Sequence, residues 1–152
     1  MNIPTPRFTV DKVGEALSKL DESKSSGVDG IPPSLLKYCA GSLALPISVI
    51  LNQSLVERKF PSIWKTASIV PVHKSGSRNR VDNYRGISLL SCISKTFESL
   101  MHDVLYDATR AMISEYQHGF VRNRSVTTNL MCYTNMLFRE VERRKQVDSI
   151  YI

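Results

Sequence analysis

The chain has 152 residues, of which 42% are hydrophobic and 22% charged, with a formal net charge of +6 and a pI near 9.4. This is the length of about one domain with ordinary core-building content, which argues against general disorder and leaves a polyanionic partner open. No apolar run reaches the ~18 residues of a membrane span, because Leu43–Leu51 is short and carries Pro46 and Ser48. The N-terminal residues lack a charged-then-apolar signal pattern, so an intracellular protein is expected, with cytoplasm and nucleus not distinguished.

Thr9 is placed to cap a helix over 10–21, with Val10, Val13, Leu17 and Leu20 at helical spacing. Ser23 to Gly30 reads as a turn-rich loop in which Gly27 and Gly30 can supply left-handed backbone. Pro32 and Pro33 open a short helix ending near Tyr38. A further helix is expected from Ser42 to about Arg58, with Leu45, Val49, Ile50 and Leu55 apolar and Pro46 in its first turn. Phe60 to Trp64 forms an aromatic loop. Two apolar runs follow, Ile69-Val70 with Val72 and Ile87 to Leu90, separated by a polar stretch containing Gly and Asn, which is the pattern of a β-hairpin. Ser91 can cap a long helix carrying Ile93, Phe97, Leu100, Met101, Val104 and Leu105. Ser125 can cap another, with Val126, Leu130, Tyr133, Leu137 and Val141 at intervals of three and four. Val147 to Ile152, β-branched and aromatic, reads as a strand.

The positive charge is unevenly spread. Residues 1–30 hold four Lys/Arg against five Asp/Glu, whereas Pro71 to Lys95 holds five Lys/Arg against Asp82 alone. Lys74 and Arg85 fall near opposite ends of the hairpin turn, on strands that would pair. Arg offers planar bidentate contacts to phosphate oxygens and Lys a compact point charge, so the pair suits a triphosphate or a nucleic-acid backbone. A solvated hairpin tip is the plainer alternative. The second basic segment, Gln117-His-Gly-Phe-Val-Arg-Asn-Arg-Ser125, sets an amide, an aromatic ring and two cations beside a predicted helix N-terminus; a capped loop with Phe120 in the core is its plainer alternative. Cys39, Cys92 and Cys132 lack metal spacing and read as buried or half-buried free thiols. His73, His102 and His118 lack metal spacing as well. Asp29 fits a loop or capping role and Asp148 an exposed strand position. With no paired carboxylates, no Ser-His-Asp pattern and no phosphate-binding glycine loop, no catalytic or metal-binding residue is assigned.

Taken together, residues 21 to 152 resemble the reverse transcriptase domain of non-LTR retrotransposons. The resemblance runs through Ser26-Gly-Val-Asp-Gly-Ile-Pro32 with Leu36-Lys37, Pro61-Ser-Ile-Trp-Lys65, and Ile69-Val-Pro-Val-His-Lys-Ser-Gly76. It continues in Asn83-Tyr-Arg-Gly-Ile-Ser-Leu-Leu90 with Lys95 and Glu98, and in Gln117-His-Gly-Phe120 with Arg124-Ser125. Gly86 departs from it, since the family usually has proline after the Tyr-Arg pair. The resemblance implies an α+β fold, the mostly helical fingers and early palm of a right-hand polymerase, with a β-hairpin and a C-terminal palm strand. About 1–125 would be fingers and about 126–152 the start of the palm, ending before the first catalytic Asp. It also implies that Lys74 and Arg85 touch the incoming nucleotide. Gln117, Gly119, Phe120, Arg122, Arg124 and Ser125 would contact the template. The expected partners are an RNA or DNA template-primer and nucleoside triphosphates. Mg²⁺ is expected for the complete polymerase, where two ions held by carboxylates activate the primer hydroxyl and stabilise the leaving pyrophosphate; no cofactor is expected in this chain itself. The function expected is that of an RNA-directed DNA polymerase fragment. The alternatives are a non-catalytic nucleic-acid-binding module and a decayed gene product without function.

Overall fold

The structure, a computed structural model, describes residues 5–150. The fold is α+β: the described residues form five α-helices and one two-stranded antiparallel hairpin in the order α1 (Val10–Ser18), α2 (Pro33–Tyr38), α3 (Ala40–Glu57), β1 (Ser68–His73), β2 (Tyr84–Leu89), α4 (Cys92–Thr109) and α5 (Val126–Glu142). The chain divides into two compact units, Met1–Ala108 and Thr109–Ile152.

The core of the first unit is built by α1, α2 and α3. Thr9 caps α1 by accepting the Lys12 N–H at 3.3 Å, as its residue type predicts. Val13 and Leu17 are fully buried against α2 and α3. The segment entering α1 is pinned by Asn52 of α3, whose amide accepts from the Phe8 N–H at 2.9 Å and donates to the Phe8 carbonyl at 2.8 Å. α1 ends at Ser18 rather than 21, and Lys19 closes it by donating to the Glu15 carbonyl.

In α3 the buried face differs from the expected one. Ala40, Ala44, Ile47, Ser48 and Leu51 face inward, whereas Leu45, Val49 and Ile50 are exposed. This helix is apolar nearly all round, so packing rather than periodicity selects its face. The small side chain of Ala44 lies opposite Gly14, where a Cβ would meet the Ala44 methyl at 3.4 Å. Pro46 sits in the helix interior, not in its first turn. It lies on the exposed side, and the carbonyl of Ser42 that it cannot serve belongs to an exposed residue, so water can take the place of the missing donor.

An aromatic cluster closes this core. Phe60, Trp64 and Phe97 meet with ring centroids 5.5 to 5.9 Å apart, and Phe8 meets Phe97 edge-on at 6.1 Å. Ser91 caps α4 by accepting the Ser94 N–H at 3.0 Å. The 23–30 loop lies against this start. A Cβ on Gly27 would fall 2.5 Å from the Ser91 Cα and 2.6 Å from the Leu90 carbonyl carbon. Gly27 is therefore required by close approach, and of the two loop glycines only Gly30 is left-handed, at φ 68°. Asp29 accepts the Ile31 N–H at 3.3 Å, the local turn role expected of it.

In the second unit, Ser125 and Thr128 form a reciprocal capping box at the start of α5. None of the α5 side chains is buried, and Val126, Leu130 and Val141 are exposed. The strand expected over 147–152 does not form at Val147–Ile150, and Tyr151 and Ile152 lie outside the described residues. A strand exists through its ladder, and the only described ladder joins β1 to β2. Asp148, expected at an exposed strand position, is exposed but outside any strand. Cys39 is half-buried and Cys92 buried, whereas Cys132, expected to be at least half-buried, is exposed. Burial pushes the Cys92 thiol above its ordinary value.

Candidate nucleic-acid interface

The hairpin owes its geometry to continuous antiparallel pairing, from Ser68 with Leu89 through Val72 with Arg85 to His73 with Tyr84. One step further, the Lys74 N–H donates to the Asn83 carbonyl at 2.7 Å. Hydrogen-bonded pairs alternate along such a ladder, so they fall at Lys74, Val72, Val70 and Ser68. Pro71 and Gly86 thus face each other in a non-hydrogen-bonded pair, where the missing proline N–H costs the ladder nothing. The same alternation sets Val70, Val72 and Lys74 on one face with Arg85 and Ile87. Lys74 and Arg85 are diagonal neighbours on that face, and His73 and Tyr84 pack edge to face on the other, with ring centroids 5.3 Å apart.

Both cations are exposed, and neither has a carboxylate partner among the described residues. Arg80, in the turn, is instead paired with Asp82 at 2.9 Å. The turn itself is braced. The Asn83 side chain donates to the Ser77 carbonyl at 2.7 Å, the Tyr84 hydroxyl to the Arg78 carbonyl at 3.0 Å, and the His73 ring meets the Gly76 carbonyl at 3.0 Å. Gly76 supplies left-handed backbone at φ 78°. The hairpin therefore presents two uncompensated cations from a face that also exposes Val70, Val72 and Ile87. Such a face can take phosphate and a flat apolar group together.

The second candidate segment, Gln117 to Ser125, lies in the second unit. Gln117 donates to the Gly119 carbonyl at 2.9 Å, and Ser125 is engaged as the α5 cap. Arg124 is turned back on the loop, its Nη1 donating to the carbonyls of Ser114, Glu115 and Gln117. Arg122 is exposed. Phe120 is fully exposed, and its backbone is left-handed at φ 60°. Residue type alone grouped Arg124 with Arg122 as cations. That its Nη1 is engaged by backbone carbonyls has no signal in the sequence. Among the described residues no group of three His, Cys, Asp or Glu side chains converges to hold a metal ion, so no residue is assigned to Mg²⁺. No helix of the described residues is long and apolar enough to cross a membrane.

No family model matches the chain. It is similar over its whole length to RNA-directed DNA polymerases of non-LTR retrotransposons, as the motifs led one to expect. Among these relatives, the probable RNA-directed DNA polymerase from transposon BS of Drosophila melanogaster is 29% identical over 155 residues, covering 100% of this chain and 17% of the relative. The RNA-directed DNA polymerase from mobile element jockey of the same organism is 29% identical over 149 residues, covering 95% of this chain and 16% of the relative. The Pol polyprotein of the type-1 retrotransposable element R1 of Bradysia coprophila is 30% identical over 130 residues, covering 84% and 13%. The chain thus spans about a sixth of the length of the curated relatives it matches first.

Proposed function

We propose that these residues are the fingers and the start of the palm of a right-hand RNA-directed DNA polymerase, divided near residue 125, and that they grip template and nucleotide. Lys74 and Arg85 hold phosphate groups, those of an incoming nucleoside triphosphate in the complete polymerase and those of a strand backbone in this chain by itself, and the segment from Gln117 to Ser125 meets the template strand. The observation that carries this reading is the pairing of two exposed, uncompensated cations on one face of a braced hairpin. Arg80, already tied to Asp82, has less to offer a phosphate. The contribution of the chain is positional, through charge and stacking, and no catalytic step is assigned to it.

The test is binding of a single-stranded RNA, followed by fluorescence anisotropy at several salt concentrations. Affinity is expected to fall steeply as salt rises, because each phosphate contact releases counterions. Charge-assisted hydrogen bonds are worth roughly 1.5–3 kcal/mol, so Arg85→Ala should weaken binding by about ten- to a hundredfold. It should also reduce the salt slope by about one contact. Arg80→Ala should change both much less. Equal losses at Arg80 and Arg85 would reduce the hairpin to a diffuse positive patch, and binding that ignores salt would sink the reading.

A further inference from the structure

Phe120 combines two features that are each unfavourable for a bulky apolar residue. Its backbone is left-handed, a conformation that bulky side chains seldom adopt, and its ring is fully exposed, so no burial offsets the strain. A loop free to relax would turn such a side chain inward. This loop is held on both sides. Before Phe120, the Gln117 amide closes on the Gly119 carbonyl, and His118 meets the Thr128 hydroxyl of α5 at 2.8 Å. After it, Arg124 reaches back across the segment to three carbonyls, and Ser125 is fixed in the capping box. Asn123 is left-handed as well, at φ 61°, which its residue type tolerates. The bracing hydrogen bonds thus hold the Phe120 ring out in solvent.

We infer that Phe120 is a stacking platform for an unpaired base, and that Arg124 is a positioning residue that acts through the loop. The ring offers a flat apolar surface, and Arg122 next to it is an exposed cation. Bases stack on such rings whatever their identity, because every base has a π-face. In a duplex those faces are covered by neighbouring base pairs, so the platform selects single-stranded segments or strand ends. The arginine at 124 is needed for its reach. All three carbonyls are met by one nitrogen, Nη1, which the guanidinium holds further from Cα than a lysine stem carries its ammonium, so a lysine falls short of the same positions. The inference rests on the proposed reading of the chain as a nucleic-acid binder.

The experiment uses the whole chain and a short single strand containing 2-aminopurine, whose fluorescence reports stacking, beside a duplex of the same length. Phe120→Ala is expected to weaken single-strand binding roughly tenfold, with the salt slope unchanged, and to abolish the fluorescence response. Phe120→Trp should retain both. Arg124→Lys keeps the charge, yet it should behave like Phe120→Ala, with a circular dichroism spectrum like that of the parent. Should Arg124→Lys lose helix content, the contrast between Phe120→Ala and Phe120→Trp decides the platform by itself. The inference is overturned if Phe120→Ala binds like the parent, if duplex binds as tightly as single strand, or if a folded Arg124→Lys binds like the parent. Those outcomes leave salt-dependent binding through the hairpin standing, whereas a parent chain that binds no oligonucleotide overturns both readings.

Discussion

At the scale of single residues, chemical type and structural role separate. Arg80, Arg85 and Arg124 share a guanidinium, yet one is paired with Asp82, one is uncompensated and one is absorbed by three carbonyls. Gly27 is the sharpest case. Its value is the space it leaves for the backbone of Leu90 and Ser91, at the junction where β2 passes into α4. Those neighbours are main-chain atoms, so they cannot swing aside as the end of a side chain would. Gly27→Ala is therefore expected to destabilise the first unit by about 1–3 kcal/mol through overpacking. A urea titration followed by circular dichroism would measure it. A midpoint within error of the parent would mean that the loop can lift off Ser91 freely. The sequence marked Gly27 as a turn glycine, but a close approach between segments so far apart in the chain leaves no local pattern to read.

At the scale of elements, what was legible follows from what each element needs locally. Caps are local, and Thr9, Ser91 and Ser125 all cap the helices their positions suggested. The hairpin was legible because alternating apolar runs around a polar turn specify pairing by themselves. Choosing a buried face was harder. In α3 apolar residues surround the helix, and the contact with Gly14 of α1 draws the alanine side inward. The strand expected at 147–152 does not form at Val147–Ile150 for a related reason, since a ladder needs a partner and none is described there. α5 is an element whose stability rests heavily on its own ends, because it buries none of its side chains. Ser125→Ala removes one half of the capping box, at a cost of about 0.5–2 kcal/mol to that helix. Amide exchange should accelerate through the first turns of α5 and stay unchanged in α3, which buries Leu51 fully. Uniform acceleration in both helices would show that α5 is not separately dependent on its cap.

At the scale of the whole molecule, the two units carry different candidate surfaces, a cationic ribbon in one and an aromatic loop in the other. The non-hydrogen-bonded pair of Pro71 and Gly86 bears on how one molecule meets another. The main-chain groups of this pair point outward, away from the partner strand. Along the outside of β1, proline removes a donor, so an approaching strand finds a gap there. Along the outside of β2, Gly86 keeps its N–H, and that edge can accept a further strand. The polymerases that the motifs resemble usually place proline at this very position, which would leave the same gap on both edges. The hairpin is thus more open to strand addition along β2 than along β1, and the difference traces to a single residue. Gly86→Pro should lower concentration-dependent association in sedimentation experiments and cost the monomer no ladder hydrogen bond. A Cβ there meets only a methyl of the exposed Ile69, at 3.1 Å, which can give way. If the variant associates as readily as the parent, the contact between molecules lies elsewhere than along β2.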